Sequence, residues 1–344
     1  MRIRRRLPVI AVVLLVVAAV ALAVFLRKHA PPEPARLLPS ADGFVYINLS
    51  WIRRASLGAP MPQVAHDPEY EQFIQATGFQ FERDLEQAAF AVHYPAAGGP
   101  HENRFSEVLV GKADGERLRA YLQKLSSSVE SYDGRDIYNI PLEGRTLRVC
   151  MLGVDTVAAS NHPDPQIIRG IIDRSRKLAS PFGGPSLLRQ YYKHVPLASL
   201  AWGILQADPA SPDSFASPVN WSFLFSHPAV VVASVRYLGS MHFRAQAFTQ
   251  SEDDAEHAVN QLSTFFDLFR SAETSVGAQA PDPDLKAFFA SIAVKQNGAR
   301  AELTATVPPE LLRKIVAEAP SAANSEAPAT QANPQPAPKA RRKR

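Results

Sequence analysis

The chain of 344 residues has a single cysteine, Cys150, so no intrachain disulfide can staple it. Cys150 sits in an apolar run that reads as a strand, where a lone thiol behaves as a small hydrophobe. No cysteine follows the N-terminal apolar stretch, so nothing there indicates a lipid-modified N-terminus. Catalytic patterns are equally scarce. Of the nine histidines (His29, His66, His93, His101, His162, His194, His227, His242 and His257), no two stand at the i, i+4 spacing of a helical zinc motif, and none lies beside the cysteine. His93 and His101 flank one loop, with Glu102 adjacent, and read as solvated loop histidines rather than a metal site. There is no G-x-S-x-G elbow and no S-x-x-K with its partner motifs. Gly98-Gly99 and Gly183-Gly184 lack the trailing Lys-Ser/Thr of a phosphate loop. Glu252, Asp253 and Asp254 form an acidic cluster, but in the first turn of a predicted helix, where negative charge suits the positive dipole end. Asp282 and Asp284, each beside a proline, read as turn residues without calcium-loop spacing. No catalytic, cofactor-binding or metal-ligating residue is nominated, which leans against an enzyme.

Positive charge on the body of the chain is also lacking. Of 37 basic residues, nine lie in the first six and last six positions. Setting them aside leaves 28 against 33 acidic residues, so 7–338 carries a net charge of about −5. A nucleic-acid partner calls for positive charge on a folded face and is not expected. The basic end Lys339–Arg344 reads as a solvated tail, with contact to anionic lipid or to an anionic envelope polymer as the functional alternative.

What the chain does have is an uncharged run, Leu7–Leu26, of 20 residues. As a helix it spans ~30 Å, the thickness of a bilayer core. Arg2, Arg4, Arg5 and Arg6 precede it, so the positive-inside bias predicts a cytoplasmic N-terminus and an extracytoplasmic folded part at the inner membrane. A cleaved signal peptide ending near Ala21-Leu22-Ala23 competes with this reading, but the apolar run continues through Val24, Phe25 and Leu26. An inverted topology with a cytoplasmic domain is a third arrangement.

The expected organisation is a cytoplasmic basic tail (1–6), a transmembrane helix (7–26), a linker (27–36) stiffened by Ala30–Pro34, one lobe over 37–180, a second over 181–318, and a disordered Pro/Ala-rich tail over 319–344. Strands are predicted at Gly43–Leu49, Glu86–Tyr94, Arg104–Gly111, Asp136–Leu142, Thr146–Leu152 and Asp155–Ser160 in the first lobe. In the second they are predicted at Leu197–Gln206, Ala229–Leu238, Met241–Thr249, Phe288–Lys295 and Arg300–Val307. A short helix follows Trp51. Further helices start at the N-caps Asp114 and Asp164, at the Ser251/Asp254 capping pair and at Pro308-Pro309. Asn297-Gly298 reads as a type I′ turn. Both halves contain the order strand, capped helix, strand hairpin, capped helix, over Arg104–Leu178 and Met241–Glu318, which suggests a duplication. The fold class expected is α+β, with mainly antiparallel sheets and helices on one face, after the N-terminal transmembrane helix, and two related lobes as the arrangement a duplication would give. Trp202, Trp221, Phe223 and Phe225 bracket a Pro/Ser-rich loop, as core packing or as an exposed rim.

The segments LLPSADGFVYINL, MHFRAQAFTQSEDDAEHAVNQL and NGARAELTATVPPELL resemble uncharacterised bacterial membrane-anchored proteins in which a sheet-forming domain follows a single N-terminal helix. The resemblance spans about two thirds of the chain in pattern. It implies an envelope location and carries no catalytic residues. The functional expectation is a membrane-tethered extracytoplasmic interaction or scaffold protein with an envelope protein or anionic polymer as partner. A binding module for a small apolar or lipid-like ligand is the alternative, and an unrecognised envelope hydrolase the third reading.

Overall fold

The structure, a computed structural model, describes residues 30–55, 66–95, 104–142, 144–176, 183–210, 221–275 and 283–318. The expected transmembrane run Leu7–Leu26 and the C-terminal tail lie outside the described residues, as do His29, His101 and Asp282. Among the described residues no helix is long and apolar enough to cross a membrane.

In chain order the first half comprises α1 (Glu33–Leu37), β1 (Gly43–Asn48), α2 (Leu49–Ala55), α3 (Pro68–Thr77), α4 (Phe81–Asp84), β2 (Leu85–His93), β3 (Arg104–Gly111), α5 (Gly115–Leu125), β4 (Ser128–Tyr132), β5 (Arg135–Leu142), β6 (Arg145–Met151), β7 (Thr156–Ser160) and α6 (Gln166–Arg176). The second comprises α7 (Ser186–Tyr191), a 3-10 turn at Tyr192–His194, β8 (Ala201–Ala207), α8 (Trp221–Leu224), β9 (Ala229–Tyr237), β10 (Met241–Phe248), α9 (Glu252–Ser275), α10 (Pro283–Ser291), β11 (Ala293–Gln296), β12 (Arg300–Val307) and α11 (Pro309–Glu318).

All the strands join one 12-stranded sheet in the order β11-β12-β10-β9-β8-β1-β2-β3-β7-β6-β5-β4, with every pairing antiparallel. The α+β class and its antiparallel character match expectation. The division into separately sheeted lobes does not, because β1 and β8 pair from Gly43↔Leu205 to Ile47↔Ala201 and fuse the halves. Each half nonetheless has one topology. A three-stranded meander (β1-β2-β3 or β8-β9-β10) leads into a helix, α5 or α9, after which the chain re-enters at the outer edge and walks back to pair with the third strand. The return takes four strands in the first half and two in the second.

Helices occupy both faces, not one. Successive side chains of a strand point to opposite faces. On one face Phe44, Tyr46, Ala89, Ala91, Val108, Ile137, Cys150, Ala158, Trp202, Ile204 and Val232 meet Leu37 of α1, Ile168, Ile171 and Ile172 of α6, and Leu188 of α7. On the other face α5 lays Leu118 and Leu122 over Tyr138, Val149 and Ala159. Also on that face, Ala258 of α9 and Trp221 of α8 pack against Ala207, Ala229, Ala247 and Ala301. The sequence pattern identified amphipathic helices, but their side of the sheet depends on loop paths that periodicity does not encode.

Three of the N-caps form as expected. Asp114 accepts from the Glu116 and Arg117 amides at 3.0 and 3.2 Å, Asp164 accepts from Gln166 at 2.8 Å, and Ser251 accepts from the Asp254 amide at 3.1 Å. Several assignments change. Ala30–Pro34 is not a spacer: Pro32 precedes α1, and Pro34 and Ala35 are buried, since proline in a first helical turn loses no needed hydrogen bond. The predicted strand Phe288–Lys295 is helix α10 through Ser291, and only Ala293–Gln296 pairs. A short apolar run has no period that separates the two. Asn297-Gly298 belongs to a three-residue connection, with Gly298 at φ 57° and Asn297 outside the left-handed region. Among the described residues, a two-residue turn with both φ positive is formed by Asp133-Gly134, at 49° and 72°.

Candidate functional site

On the sheet face that carries α5, the inward alternation of β1–β3 brings Val45 and Ile47, Phe90 and Val92, and Phe105 and Glu107 side by side. The register pairs Val45 with Phe90, Phe90 with Glu107, and Val92 with Phe105. With Leu142 of β5, Leu147 of β6 and Ala159, Ser160 and Asn161 at the end of β7, they line a cavity of ≈ 500 Å³. That volume is in the range of small-molecule sites, which are mostly apolar with few polar groups. Val45, Ile47 and Phe90 are half-buried, while their neighbours on the opposite face, Phe44, Tyr46, Ala89 and Ala91, are sealed.

The polar groups at the cavity differ in their state. Asn161 accepts the Phe105 amide through its side chain at 2.7 Å and donates its own amide to the Phe105 carbonyl at 3.1 Å. Ser160 shares a hydrogen bond with Ser106 at 2.9 Å and accepts the His162 amide at 3.2 Å. The Glu107 carboxyl makes no hydrogen bond or ion pair among the described residues, and burial alone pushes it above the ordinary carboxylate range. The alternation in Phe105-Ser106-Glu107-Val108-Leu109 is the signal that could have found it, because it puts a carboxyl on the same face as two large apolar side chains.

A Ser–His contact also exists, the feature that would favour a hydrolase. His93 Nε2 lies 3.3 Å from Ser106 Oγ, and the His93 and His162 rings are 5.0 Å apart. Ser106 is fully buried, its hydroxyl is bonded to Ser160, and among the described residues no carboxylate hydrogen-bonds His93. Burial first, then the His162 imidazole, push His93 down to about 4. With its hydroxyl buried and already bonded to Ser160, Ser106 makes this contact a buried polar link between strand ends.

The remaining singled-out residues fall elsewhere. His66 bridges Glu71 and Glu82 at 2.7 and 2.5 Å beside α3 and α4, where those two carboxylates raise it above the ordinary imidazole range. His227 pairs with Asp254 at 2.8 Å at the start of α9, which places Asp254 in a cap and not in a carboxylate site. Asp284 pairs with Lys314 at 2.6 Å. His242 contacts Ser240 and Thr306, and His194 packs on Phe248. Trp202, Trp221 and Phe225 are buried, leaving Phe223 as the exposed member of that aromatic group. Among the described residues no group of three or more His, Cys, Asp and Glu side chains could hold a metal ion.

The fold and cavity define an α+β protein on a single antiparallel sheet. No family model matches the chain, and no curated protein does. Two solved structures, crystal forms III and IV of TP0453, are similar. Form III aligns at a TM-score of 0.41 and 9% identity, covering 83% of this chain and 98% of that one. Form IV aligns at 0.44 and 10%, covering 83% and 97%. A likeness of that strength leaves the function to the chain's own geometry.

Proposed function

We propose that the chain is a binding module for a small apolar or lipid-like ligand, tethered at a membrane by the run Leu7–Leu26 with its sheet domain on the extracytoplasmic side. The observation that carries this reading is the ≈ 500 Å³ cavity walled by Val45, Ile47, Phe90, Val92, Phe105, Leu142, Leu147 and Ala159. Releasing water from such walls favours an apolar occupant by roughly 25 cal/mol per Å² of apolar surface covered. The tether is supported by the length of the uncharged run and by the arginines before it. An interaction or scaffold role shares that tether but has no specific surface feature of equal weight behind it.

The test is mass spectrometry of the organic extract of the purified full chain, beside a cavity-filled variant, Ala159→Phe, shown by its melting curve to be folded at the working temperature. A hydrophobic compound enriched with the wild type and depleted from the variant is the expected result. Equal extracts from both, together with equal uptake of added alkyl probes, would remove the reading.

A further inference from the structure

We infer that the cavity selects an amphiphile with a primary ammonium head, its alkyl chain lying on Val45, Ile47, Phe90 and Leu147 and its head against the Glu107 carboxylate. This rests on the apolar-ligand reading and names the ligand class.

Four observations converge. Glu107 is half-buried among apolar side chains, its carboxyl has no partner among the described residues, and burial raises it above the ordinary carboxylate range, so a cation held at the cavity would favour its ionised form. Of the other polar residues at the cavity, Ser160 bonds Ser106 and Asn161 gives its side-chain oxygen to the Phe105 amide, which leaves Glu107 as the charged group among the described lining residues. Among the described residues no cationic side chain lines the cavity. Arg145, on the same face of β6 two residues before Leu147, is not among the lining residues and has a contact of its own. A fatty-acid carboxylate would therefore meet like charge and no counter-charge.

The fold supplies its own control. Glu107 faces Phe90 in the first meander, where Phe90 faces Val45. In the second meander the matching ladder runs Gly203↔Ala233↔Ala245. That ladder pairs through small residues without a carboxyl, so strand pairing in this topology does not itself call for one at Glu107.

Decylamine, decanol and decanoate are titrated calorimetrically at neutral pH into the full chain held in amphipol, as wild type, Glu107→Gln and Ala159→Phe, with melting curves confirming that each is folded. The expected result is decylamine binding at least tenfold more tightly than decanol, decanoate weakest, and the amine preference lost in Glu107→Gln while decanol binding persists. Amine and alcohol binding equally to the wild type, or an amine preference surviving in Glu107→Gln, would overturn the assignment of the head group while leaving the cavity reading intact. Failure of all three probes to bind the wild type above Ala159→Phe would overturn both.

Discussion

Val45 and Gly203 face each other at the middle of the β1–β8 ladder, and the two halves of the sheet extend outward from that pair in the same strand order. Phe44 and Tyr46 on one strand and Trp202 and Ile204 on the other fill the covered face, with the Tyr46 and Trp202 rings stacked 5.5 Å apart. The seam is therefore packed by large side chains at equivalent positions of the two meanders. A Cβ added to Gly203 would come no closer than 3.7 Å to the Phe44 carbonyl oxygen, an ordinary contact. Gly203→Ala should raise stability by about 0.5 kcal/mol, because glycine inside a strand loses more backbone entropy than alanine. Gly111 is the opposite case. A Cβ there would stand 2.7 Å from the Asp84 carbonyl oxygen and 3.1 Å from Leu85 Cα, backbone that cannot swing away. Gly111→Ala should destabilise by roughly 1–3 kcal/mol. Paired urea melts decide this, and equal effects of the two substitutions would contradict the geometry.

Glu107 contributes stability that is lost as pH rises. Its burial favours the protonated form in the folded chain, so the folded carboxyl holds its proton to higher pH than the unfolded one. The benefit is complete below the unfolded carboxylate range and is lost as pH climbs through the folded value. Glu107→Gln has no proton to lose. Its melting temperature should match that of the wild type at low pH and exceed it increasingly above the carboxylate range, as a calorimetric pH series would record.

His93 acts with the opposite sign. Its imidazole is held down to about 4 by burial and by His162, against an ordinary value of 6.5. The unfolded chain therefore takes up a proton that the folded chain refuses between those values. The contribution is complete above the ordinary imidazole value and is lost as pH falls toward about 4. His93→Asn should flatten the pH dependence of the denaturation midpoint across that window by up to about one proton. An unchanged slope would mean that His93 is open to protonation in the folded state.

Much of this fold was legible because strands and helices announce their own ends. Gly239 sits at φ 84° in the β9–β10 hairpin, and Asp114, Asp164 and Ser251 all cap helices at the predicted starts. Other elements were hidden for local reasons. β4 reads Ser128-Val-Glu-Ser-Tyr132, an edge strand with Val129 exposed, so it has no apolar face to betray it. α3 and α4 are held by the aromatic group Tyr70, Phe73, Phe79 and Phe81, whose spacing straddles a Gly78 cap at φ 73° and fits no single period. The β1–β8 pairing and the cavity are products of register between distant segments. Only the charge on an apolar strand face at Glu107 hinted at the latter.

Cys150 should be inert in the folded protein. It is fully buried between Ile137 and Ala158 on the covered face, and burial raises its thiol to about 11. Thiolate is the reactive form, so a disulfide reagent should modify the native chain only at the rate of unfolding and react at once in denaturant. Rapid labelling without denaturant would contradict the packing of α1 and α6 over that face.

Ser251 and Asp254 make the start of α9 a point where a small change has a long reach. The Ser251 hydroxyl accepts the Asp254 amide and donates to Asp254 Oδ2 at 2.8 Å, while His227 holds Oδ1 at 2.8 Å. Those two partners keep the Asp254 carboxyl below the usual range, so it stays ionised at the positive end of the helix dipole. Ser251→Ala removes one side of the box and should cost about 1 kcal/mol. Asp253→Asn, on the exposed side of the same turn, should cost less. Because α9 is the cover of β11 and β12, hydrogen exchange in Ser251→Ala should accelerate in the first turn of α9 and in those two strands, and stay unchanged in β1–β3. Uniform acceleration through the whole sheet would mean instead that the two halves unfold as one unit and that the β1–β8 seam leaves neither half able to open alone.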